Sequence, residues 1–316
     1  MTQPVLVTGA AGFIGSHSVE WLLGQGWPVV GVDNLRTGRL ENLAVARASP
    51  DFDWVLADAG DEAAMRALFQ QHRFAGVLHL AALVSVPESF REPALNYRLN
   101  LAMVDSLARL CLEFDCRRLA FASSAAVYGA MAALPNRESA TPQPQSPYAA
   151  AKLAAEVMLL GYAVSYGLEV ACLRYFNVYG PRQDPSSPYS GVLSIFTDRF
   201  RQGLPVTIYG DGEQTRDFIS VRDVARANGL ALTKACVTSG RYNVCTGRSV
   251  SLNRVLELYR ELFPGVPPAE YTDARIGDIR HSLGDPTALR ALLGFEAQIP
   301  FAQGLRELAL GAWMVR

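Results

Sequence analysis

The feature that most constrains the fold of this chain is a short apolar run followed by closely spaced glycines near the N-terminus. Residues 5–8 (VLVT) form the apolar run, and residues 9–15 read GAAGFIG. Helical periodicity continues over residues 16–23, so the segment predicts a strand, a tight glycine turn and a helix. A tight turn is by itself the simplest interpretation of such a loop. The same arrangement would also bring the N–H groups of a helix N-terminus close to a pyrophosphate.

A second apolar run supports the dinucleotide interpretation. Residues 29–32 (VVGV) lead into Asp33, 18 residues after Gly15. An acid at this position binds the ribose hydroxyls of adenosine and repels a 2′-phosphate, so the pattern favours NAD over NADP as cofactor. Arg36 lies close enough in sequence to leave that preference open.

Strand-like and helical runs then alternate, which is typical of an α/β fold with a doubly wound parallel sheet of the Rossmann type. Residues 54–57 end at Asp58, and residues 76–82 (GVLHLAA) form a third edge of the cofactor crevice. Ligands bind at the carboxyl ends of parallel strands, so we expect Asp58 to meet the adenine amino group and the end of the third run to meet the pyrophosphate and ribose. We expect His79, inside an apolar run, to be a hydrogen-bonded core residue rather than a catalytic one.

Tyr148 and Lys152 stand four residues apart after Pro147, in a segment that predicts a helix. This spacing puts both side chains on one helix face. A lysine charge roughly 5 Å from the tyrosine hydroxyl, in a partly dry site, is worth about 3 kcal/mol at an effective dielectric of 20. We therefore expect Lys152 to lower the pKa of Tyr148 by about two pH units, so that the pair transfers a proton at neutral pH. The alternative is an amphipathic helix with a packed tyrosine and a lysine that reaches solvent.

A predicted strand at residues 118–122 runs into SSAAVYG at residues 123–129. Serines in turns are usually backbone caps. Because this strand end and the Tyr148 helix are expected to flank the same crevice, a serine hydroxyl could meet the same substrate oxygen as Tyr148.

Two predicted helices, residues 99–114 and 149–166, are apolar nearly all round. Such a helix must be covered on every side, so we expect one face on the sheet and the other on a second copy of the chain. This predicts a homodimer with a four-helix interface, and burial within one chain is the alternative. Asn100, polar within the first of these helices, could fix a strand-end backbone near the nicotinamide.

Composition excludes several classes of function. The chain has 316 residues, of which 50% are apolar and 19% charged, and 29 basic residues nearly balance 30 acidic ones. No basic field for nucleic acid or for a membrane surface results. Five cysteines without CxxC spacing and four scattered histidines favour neither a disulfide framework nor a metal site. The N-terminus leads directly into the first strand and no apolar run reaches about 18 residues, so we expect a cytoplasmic protein.

From residue 181 the sequence becomes rich in loop-forming residues and its elements shorten, which indicates a second lobe. Residues 206–212 predict a β-hairpin. Arg216 and Arg275 are expected on loops beyond the sheet, where bidentate pairing suits a diphosphate. The alternative is that they form surface ion pairs with Asp217 and Asp278.

Seven motifs taken together carry a family resemblance, which extends from about Pro4 to the C-terminal helix. They are GAAGFIG, VDN, SSAAVYG, YAAAK, RYFNVYGPRQDP, YGDGEQTRDFISVRDVA and RIGDIRHSLGD. The set resembles the extended short-chain dehydrogenase/reductases of the UDP-sugar 4-epimerase type, and is most similar to UDP-N-acetylglucosamine 4-epimerases. The resemblance implies a bound NAD that takes a hydride from carbon 4 of the sugar while Tyr148 takes the hydroxyl proton. The 4-keto sugar then turns over and the hydride returns to its other face, so the nucleotide must be held tightly and the sugar loosely.

The resemblance also implies site residues and a division of the chain. The catalytic residues would be Ser124, Tyr148 and Lys152. The cofactor-binding residues would be Gly9, Gly12, Phe13, Ile14, Gly15, Asp33, Asn34, Asp58, Ala59, Leu80, Ala81, Ala82, Asn100, Ser123, Tyr148, Lys152 and Tyr175. The residues for the UDP-sugar would be Ser85, Ser124, Asn177, Gly191, Val192, Phe196, Thr207, Tyr209, Arg216, Arg275, Asp278 and Ser282. The NAD-binding domain would span residues 1–177 and roughly 219–247, and a smaller C-terminal α/β lobe for the UDP-sugar residues 178–218 and 248–316.

Departures from related families narrow the reaction. Related sugar dehydratases carry an acidic pair where this chain has Ala125 and Ala126, and decarboxylases carry a glutamate there, so epimerisation is the reaction that remains. Ile195 stands where many relatives have a lysine, and Thr207 where some have an aromatic residue. Ser282 replaces a bulky tyrosine found in relatives restricted to glucose and galactose, which implies room for an N-acetyl group. UDP-GlcNAc and UDP-GalNAc are therefore the expected substrates, with UDP-Glc and UDP-Gal as slower ones.

Three alternatives to this function remain. A sugar reductase that consumes NAD(P)H would use the same Ser-Tyr-Lys set but oxidise its cofactor stoichiometrically. An epimerase selective for UDP-Glc and UDP-Gal would leave the acetylated sugars untouched. A non-catalytic NAD-sensing scaffold would not need Tyr148.

Overall fold

The structure, a computed structural model, describes residues 3–130, 133–184, 191–235, 237–274 and 279–311. Its strands are β1 Val5–Thr8, β2 Val29–Asp33, β3 Phe52–Leu56, β4 Gly76–His79, β5 Arg118–Ser124, β6 Glu169–Tyr175, β7 Asn177–Tyr179, β8 Thr207–Tyr209, β9 Thr215–Arg216, β10 Phe218–Ser220, β11 Gly240–Val244, β12 Val250–Ser251 and β13 Glu270–Thr272. Its α-helices are α1 Phe13–Gly24, α2 Glu62–Gln71, α3 Val86–Arg91, α4 Pro93–Tyr97, α5 Met103–Glu113, α6 Pro147–Tyr166, α7 Val192–Arg201, α8 Val221–Thr233, α9 Leu252–Leu262, α10 Thr287–Leu293 and α11 Phe301–Leu310.

A seven-stranded sheet organises the larger part of the molecule, in the order β11-β6-β5-β4-β1-β2-β3. All of its pairings are parallel. The chain reverses its direction of travel across the sheet between β1 and β4, where the carboxyl ends of the strands leave a crevice for a ligand. The predicted doubly wound α/β fold is confirmed.

Helices cover both faces of this sheet because successive strand residues point to opposite sides. Val5 and Val7 of β1 pack in one core with residues of α1 and α8. Leu6, between them, packs in a second core with residues of α2, α5 and α6. The short apolar strands are therefore buried on both faces, as their continuous hydrophobic sequences predict.

The smaller lobe has its own core, formed by α7, α9, α11 and the short strands around them. The predicted hairpin at residues 206–212 is wrong. β8 instead pairs in parallel with β13, which lies about 60 residues further along the chain. Gly210 and Gly212, both with positive φ, follow β8.

Packing in the structure bears on the predicted division of the chain in two places. β11 joins the large sheet, as the assignment of residues 219–247 to the first domain requires. Leu289 and Leu293 of α10 and the following Phe295, assigned by sequence to the sugar lobe, pack in the core of the large sheet. The division as a whole stays a prediction.

The two predicted apolar helices differ in how much of their surface is buried within the chain. The predicted helix at residues 99–114 is a π-helical turn at Arg98–Ala102 followed by α5, whose residues from Met103 to Cys111 are mostly buried within the chain. α6 buries only one face, and Val157 and Val164 on its other sides are 55% and 89% exposed. Among the described helices, none is both long and apolar enough to cross a bilayer.

Candidate functional site

The glycine turn after β1 forms a cradle that admits no side chains. Gly9 has φ +71°, and a Cβ there would stand 2.7 Å from the backbone nitrogen of Ala81 at the end of β4. A Cβ on Gly15 would stand 1.9 Å from the carbonyl oxygen of Gly9. Both positions require glycine, and the backbone therefore lies open to a ligand at the carboxyl ends of β1 and β4.

The N-terminus of α1 favours an anion. Gly12 caps the helix without a side chain, and no acidic residue occupies the first turn. The first N–H groups and the partial positive charge of the helix therefore point towards whatever fills the cradle. These features fit the pyrophosphate of a dinucleotide.

Asp33 closes the adenosine side of the crevice. Its carboxylate accepts hydrogen bonds from the backbone N–H of Ala11 at 3.0 Å and of Leu35 at 2.8 Å. Burial raises the pKa of Asp33, and these backbone hydrogen bonds oppose the effect. Nearby, the Asn34 amide donates to the Asp58 carboxylate at 3.2 Å, so two predicted cofactor residues at the ends of β2 and β3 contact each other.

Tyr148 and Lys152 lie in the first turns of α6, which begins at Pro147 and is capped by the Ser146 hydroxyl. Lys152 Nζ donates to the carbonyl oxygen of Ala122 on β5 at 2.8 Å. It also lies 5.9 Å from the centre of the Tyr148 ring. The structure thus brings the predicted pair together at the end of β5, and the alternative in which the lysine reaches solvent is wrong.

The expected pKa shift of Tyr148 is wrong for the folded chain. Burial raises the pKa of Tyr148, and a hydrogen bond with Ser124 lowers it by less. Burial also lowers the pKa of Lys152 to about 7, against the opposing charge of Glu156. Desolvation disfavours the charged form of each side chain, and its extent depends on how deeply the folded chain buries them.

The two serines at the end of β5 have separate partners. Ser124 lies near enough to Tyr148 to lower its pKa, and its oxygen accepts from the backbone N–H of Ala126 at 3.1 Å; its predicted catalytic role stays a prediction. Ser123 is buried and donates to the Glu156 carboxylate at 2.5 Å. Ser123 thus lies between β5 and α6, and its predicted place beside the cofactor stays a prediction.

Two buried residues that the sequence argument missed hold the start of α6. The Ser89 hydroxyl accepts from the backbone N–H of Tyr148 at 3.1 Å, and the Asn96 amide donates to the carbonyl oxygen of Pro147 at 2.9 Å. Asn100 donates to Asn96 and to the carbonyl oxygen of Leu83, which places it at a strand-end backbone as expected. The spacing of Asn96 and Asn100, one turn apart in an apolar segment, was the available signal.

Three further predicted residues have structural partners. Ser85 caps α3 by accepting from the backbone N–H of Glu88 at 2.9 Å. The Tyr175 hydroxyl donates to Asn228 of α8 at 2.7 Å. His79 is a core residue, as expected: its Nδ1 lies 2.7 Å from the Thr8 hydroxyl, and burial lowers its pKa to about 3.

A cavity of about 470 Å³ lies between the end of β7 and the smaller lobe. Its lining includes seven residues predicted for the UDP-sugar: Asn177, Gly191, Val192, Phe196, Thr207, Tyr209 and Arg216. Gln183, Ile195, Arg199 and Gln214 also line it. Residues far apart in sequence thus form one cavity wall. That the seven predicted residues bind a UDP-sugar stays a prediction.

The predicted alternative of an ion pair between Arg216 and Asp217 is wrong. Asp217 is fully buried, and its carboxylate accepts from Thr246, Gly247 and Gly284 rather than from an arginine. Arg216 donates to the carbonyl oxygens of Thr215 and Arg280 at 3.0 and 3.3 Å on the cavity wall. Arg275 and Asp278 lie outside the described residues. The backbone N–H of Ser282 donates to Thr215 at 3.0 Å, which places Ser282 beside this wall.

Comparisons with known proteins agree with this geometry. Residues 5–245 match the model of a family described as the NAD dependent epimerase/dehydratase family. The UDP-glucose 4-epimerase of Mycolicibacterium smegmatis is 38% identical over 304 residues, which cover 95% of each chain. The crystal structure of UDP-glucose 4-epimerase from Thermotoga maritima, with UDP-glucose, superposes with a TM-score of 0.91 at 38% identity over 97% of each chain. The UDP-N-acetylglucosamine 4-epimerase of Methanobrevibacter ruminantium, in complex with UDP-N-acetylmuramic acid, gives 0.92 at 38% identity over 99% of each chain.

Gly15→Ala is expected to abolish dinucleotide retention, because a Cβ 1.9 Å from the Gly9 carbonyl oxygen forces the backbone of the cradle to move. Overpacking of this kind also costs about 1–3 kcal/mol in the free energy of unfolding. Dinucleotide released from acid-treated protein and urea unfolding measure the two effects. Gly24→Ala in the same helix, where a Cβ meets nothing within 4 Å, is the matched control and should change neither. Wild-type retention by Gly15→Ala would contradict the assignment of the cradle.

Proposed function

The chain belongs to the NAD-dependent epimerase/dehydratase family, and from this premise we propose that it is a UDP-sugar 4-epimerase that works with bound NAD. The observation that carries the proposal is the placement of the Tyr148–Lys152 pair at the carboxyl end of β5, beside a glycine cradle. A cavity lined by residues of the second lobe completes the site. Similarity to UDP-sugar 4-epimerases over 95% or more of the chain supports it.

When bound, NAD would supply a hydride acceptor that can return the hydride. The Gly9–Gly15 cradle and the N-terminus of α1 would hold its pyrophosphate, and Asp33 would hold its adenosine ribose. Lys152, already bonded to the Ala122 carbonyl, would lie at the nicotinamide end of the crevice.

Tyr148 would exchange a proton with the sugar hydroxyl at carbon 4. Because burial raises its pKa, the phenol is the stable form in the folded chain, and forming the phenolate has a free-energy cost. Accepting a proton requires a phenolate, which the Ser124 hydrogen bond and a protonated Lys152 would stabilise as it forms. Ser124 contacts Tyr148, so it would meet the same sugar oxygen.

The cavity would hold the nucleotide part of the substrate. Arg216 and Arg199 contribute positive charge to its wall, which suits a diphosphate. Val192 and Phe196 contribute apolar surface that suits the uridine. Strong contacts to the nucleotide and few to the sugar would let the keto sugar turn before the hydride returns.

We infer that the acetylated pair UDP-GlcNAc and UDP-GalNAc is preferred over UDP-Glc and UDP-Gal. Ser282 is small and lies beside Thr215, next to Arg216 on the cavity wall. A relative 38% identical is a UDP-N-acetylglucosamine 4-epimerase, whereas several others are UDP-glucose 4-epimerases.

Incubation of the purified protein with each of the four UDP-sugars, without added cofactor, tests both the epimerase activity and the substrate preference. Turnover of UDP-Glc alone would overturn the preference, and a stoichiometric requirement for NAD(P)H would favour a reductase instead.

Tyr148→Phe is expected to lower kcat for every UDP-sugar by about 10²- to 10⁴-fold, because it removes the group that exchanges the proton. Dinucleotide content should stay at the wild-type level, since the cradle is unchanged. Tyr162→Phe serves as control: it lies on the same helix and bonds to Asp105 at 2.7 Å. Equal activity of the two variants would end the catalytic assignment.

Ser282→Tyr is expected to lower kcat/KM for UDP-GlcNAc at least 10-fold, because a phenol ring would occupy space that the N-acetyl group needs, a clash of about 1–3 kcal/mol. Activity on UDP-Glc in the same preparation is the internal control and should remain within about 2-fold. A parallel loss on both sugars would contradict a selective effect.

We also propose a homodimer through α6 and the segment before α5. An apolar groove there is lined by Leu101, Pro144, Ala150, Leu153, Ala154, Val157 and Met158. A second copy of the chain is the proposed occupant, because the groove follows α6 from Ala150 to Met158 and a two-fold axis would pair this face with itself.

Val157→Asp is expected to convert the dimer to monomers, since a carboxylate would be buried without a partner in the apolar interface. Light scattering after size-exclusion chromatography gives the mass. Val45→Asp is the matched control, because Val45 is 54% exposed, almost the same as Val157 at 55%, but lies away from the groove. A monomeric wild-type chain would contradict the proposal.

A further inference from the structure

A buried charge cluster lies directly beneath the Tyr148–Lys152 pair. Glu156 and Arg174 both have fully buried side chains and form a bidentate ion pair. Arg174 Nε donates to one carboxylate oxygen at 2.8 Å and Nη2 to the other at 2.6 Å. A pair of this kind does not by itself stabilise a fold relative to apolar residues of similar volume, so its position calls for another explanation.

The cluster ties four elements of the molecule together. Arg241 of β11 donates to Glu156 at 2.9 Å, and Ser123 of β5 donates to it at 2.5 Å. Arg174 lies on β6, and its guanidinium stacks 4.7 Å from the ring centre of Tyr128. The Glu156 carboxylate therefore joins α6 to three neighbouring strands of the large sheet.

The sequence positions on α6 connect this cluster to the site. Tyr148, Lys152 and Glu156 follow one another at intervals of four residues and lie along one helix face. Ser123, bound to Glu156, is adjacent to Ser124, which lies near enough to Tyr148 to lower its pKa. Displacement of the carboxylate would therefore move both the helix that carries the pair and the strand end opposite it.

On the premise of the proposed function, we propose that Glu156 is a positioning residue for Tyr148 and Lys152. Its carboxylate fixes α6 against the end of β5 and keeps a negative charge one helical turn from the Lys152 ammonium.

The groups that face Lys152 agree with this assignment. From α6 these are Tyr148 and Glu156, from β5 the Ala122 carbonyl and the Phe121 ring, and from β4 the neutral His79. Glu156 in turn faces Arg174, Arg241, Ser123 and the Cys172 thiol. Burial lowers the pKa of Lys152, and Glu156 opposes that effect. Loss of the carboxylate should thus make Lys152 release its proton at lower pH.

The composition of the chain allows a direct test. Lys152 and Lys234 are its only lysines, so protein labelled with ¹³C at the lysine Cε gives two signals, which a Lys234→Arg variant assigns. A Glu156→Gln variant would leave Arg174 buried without its partner, and such a variant could fail to fold. The comparison is therefore made between Arg174→Gln and Arg174→Gln/Glu156→Gln, which differ only in the carboxylate.

The expected result is a Lys152 titration midpoint about one pH unit lower in the double variant than in Arg174→Gln. Arg241→Gln is the control for loosened packing, because it removes one hydrogen bond from Glu156 but leaves its charge; its midpoint should not fall below that of the wild type. Equal Lys152 midpoints in Arg174→Gln and the double variant would overturn the proposal. An equally large fall of the Lys152 midpoint in Arg241→Gln would also overturn it.

Activity provides a second readout. If protonated Lys152 is required, the high-pH limb of the kcat profile should move to lower pH in the double variant, in parallel with the spectroscopic midpoint. A structural role alone would lower kcat equally at every pH. If the proposed function is wrong, the wild-type protein will turn over no UDP-sugar. The titration of Lys152 does not depend on turnover, so the two proposals fail separately.

Discussion

The site depends on a lysine ammonium held out of water. Burial lowers the pKa of Lys152 to about 7, and its charged form persists only through what surrounds it. The Ala122 carbonyl at 2.8 Å, the face of the Phe121 ring at 4.8 Å and the charge of Glu156 all favour the ammonium. Two of these groups belong to β5 and one to α6, so the contacts that stabilise the buried ammonium exist only while that helix is docked on that strand.

Buried polar contacts hold α6 at both ends of its active face. At its start, Ser89 and Asn96 bind the backbone of Tyr148 and Pro147. Two turns later, Glu156 is bound by side chains from three strands. Apolar packing between these points is non-directional and tolerates small shifts, whereas hydrogen bonds fix distance and orientation. The polar contacts therefore determine where the phenol stands.

The two ends of the crevice are built by different means. The cofactor end consists of backbone, with glycines that leave no room for a Cβ and a helix N-terminus that favours an anion. The substrate end consists of side chains from β7, α7 and the short strands of the smaller lobe. A backbone cradle cannot change its shape without a change in fold, while a cavity of side chains can vary by substitution. This contrast suits a chain whose relatives share a cofactor and differ in their sugars.

The sequence by itself determined the features that depend on short-range pattern: the glycine turn, the parallel doubly wound sheet and the placing of Tyr148 and Lys152 on one helix face. The turn and the helix face follow from residues a few positions apart, and the sheet follows from the alternation of strand-like and helical runs along the chain. Only the tertiary structure decided that β8 pairs with β13, that Ser123 binds Glu156, that α10 packs on the large sheet, and that the pKa of Tyr148 rises rather than falls. These depend on which distant segments meet and on how much water they exclude. Pairing partners and desolvation are properties of the assembled core, and no local window of sequence contains them.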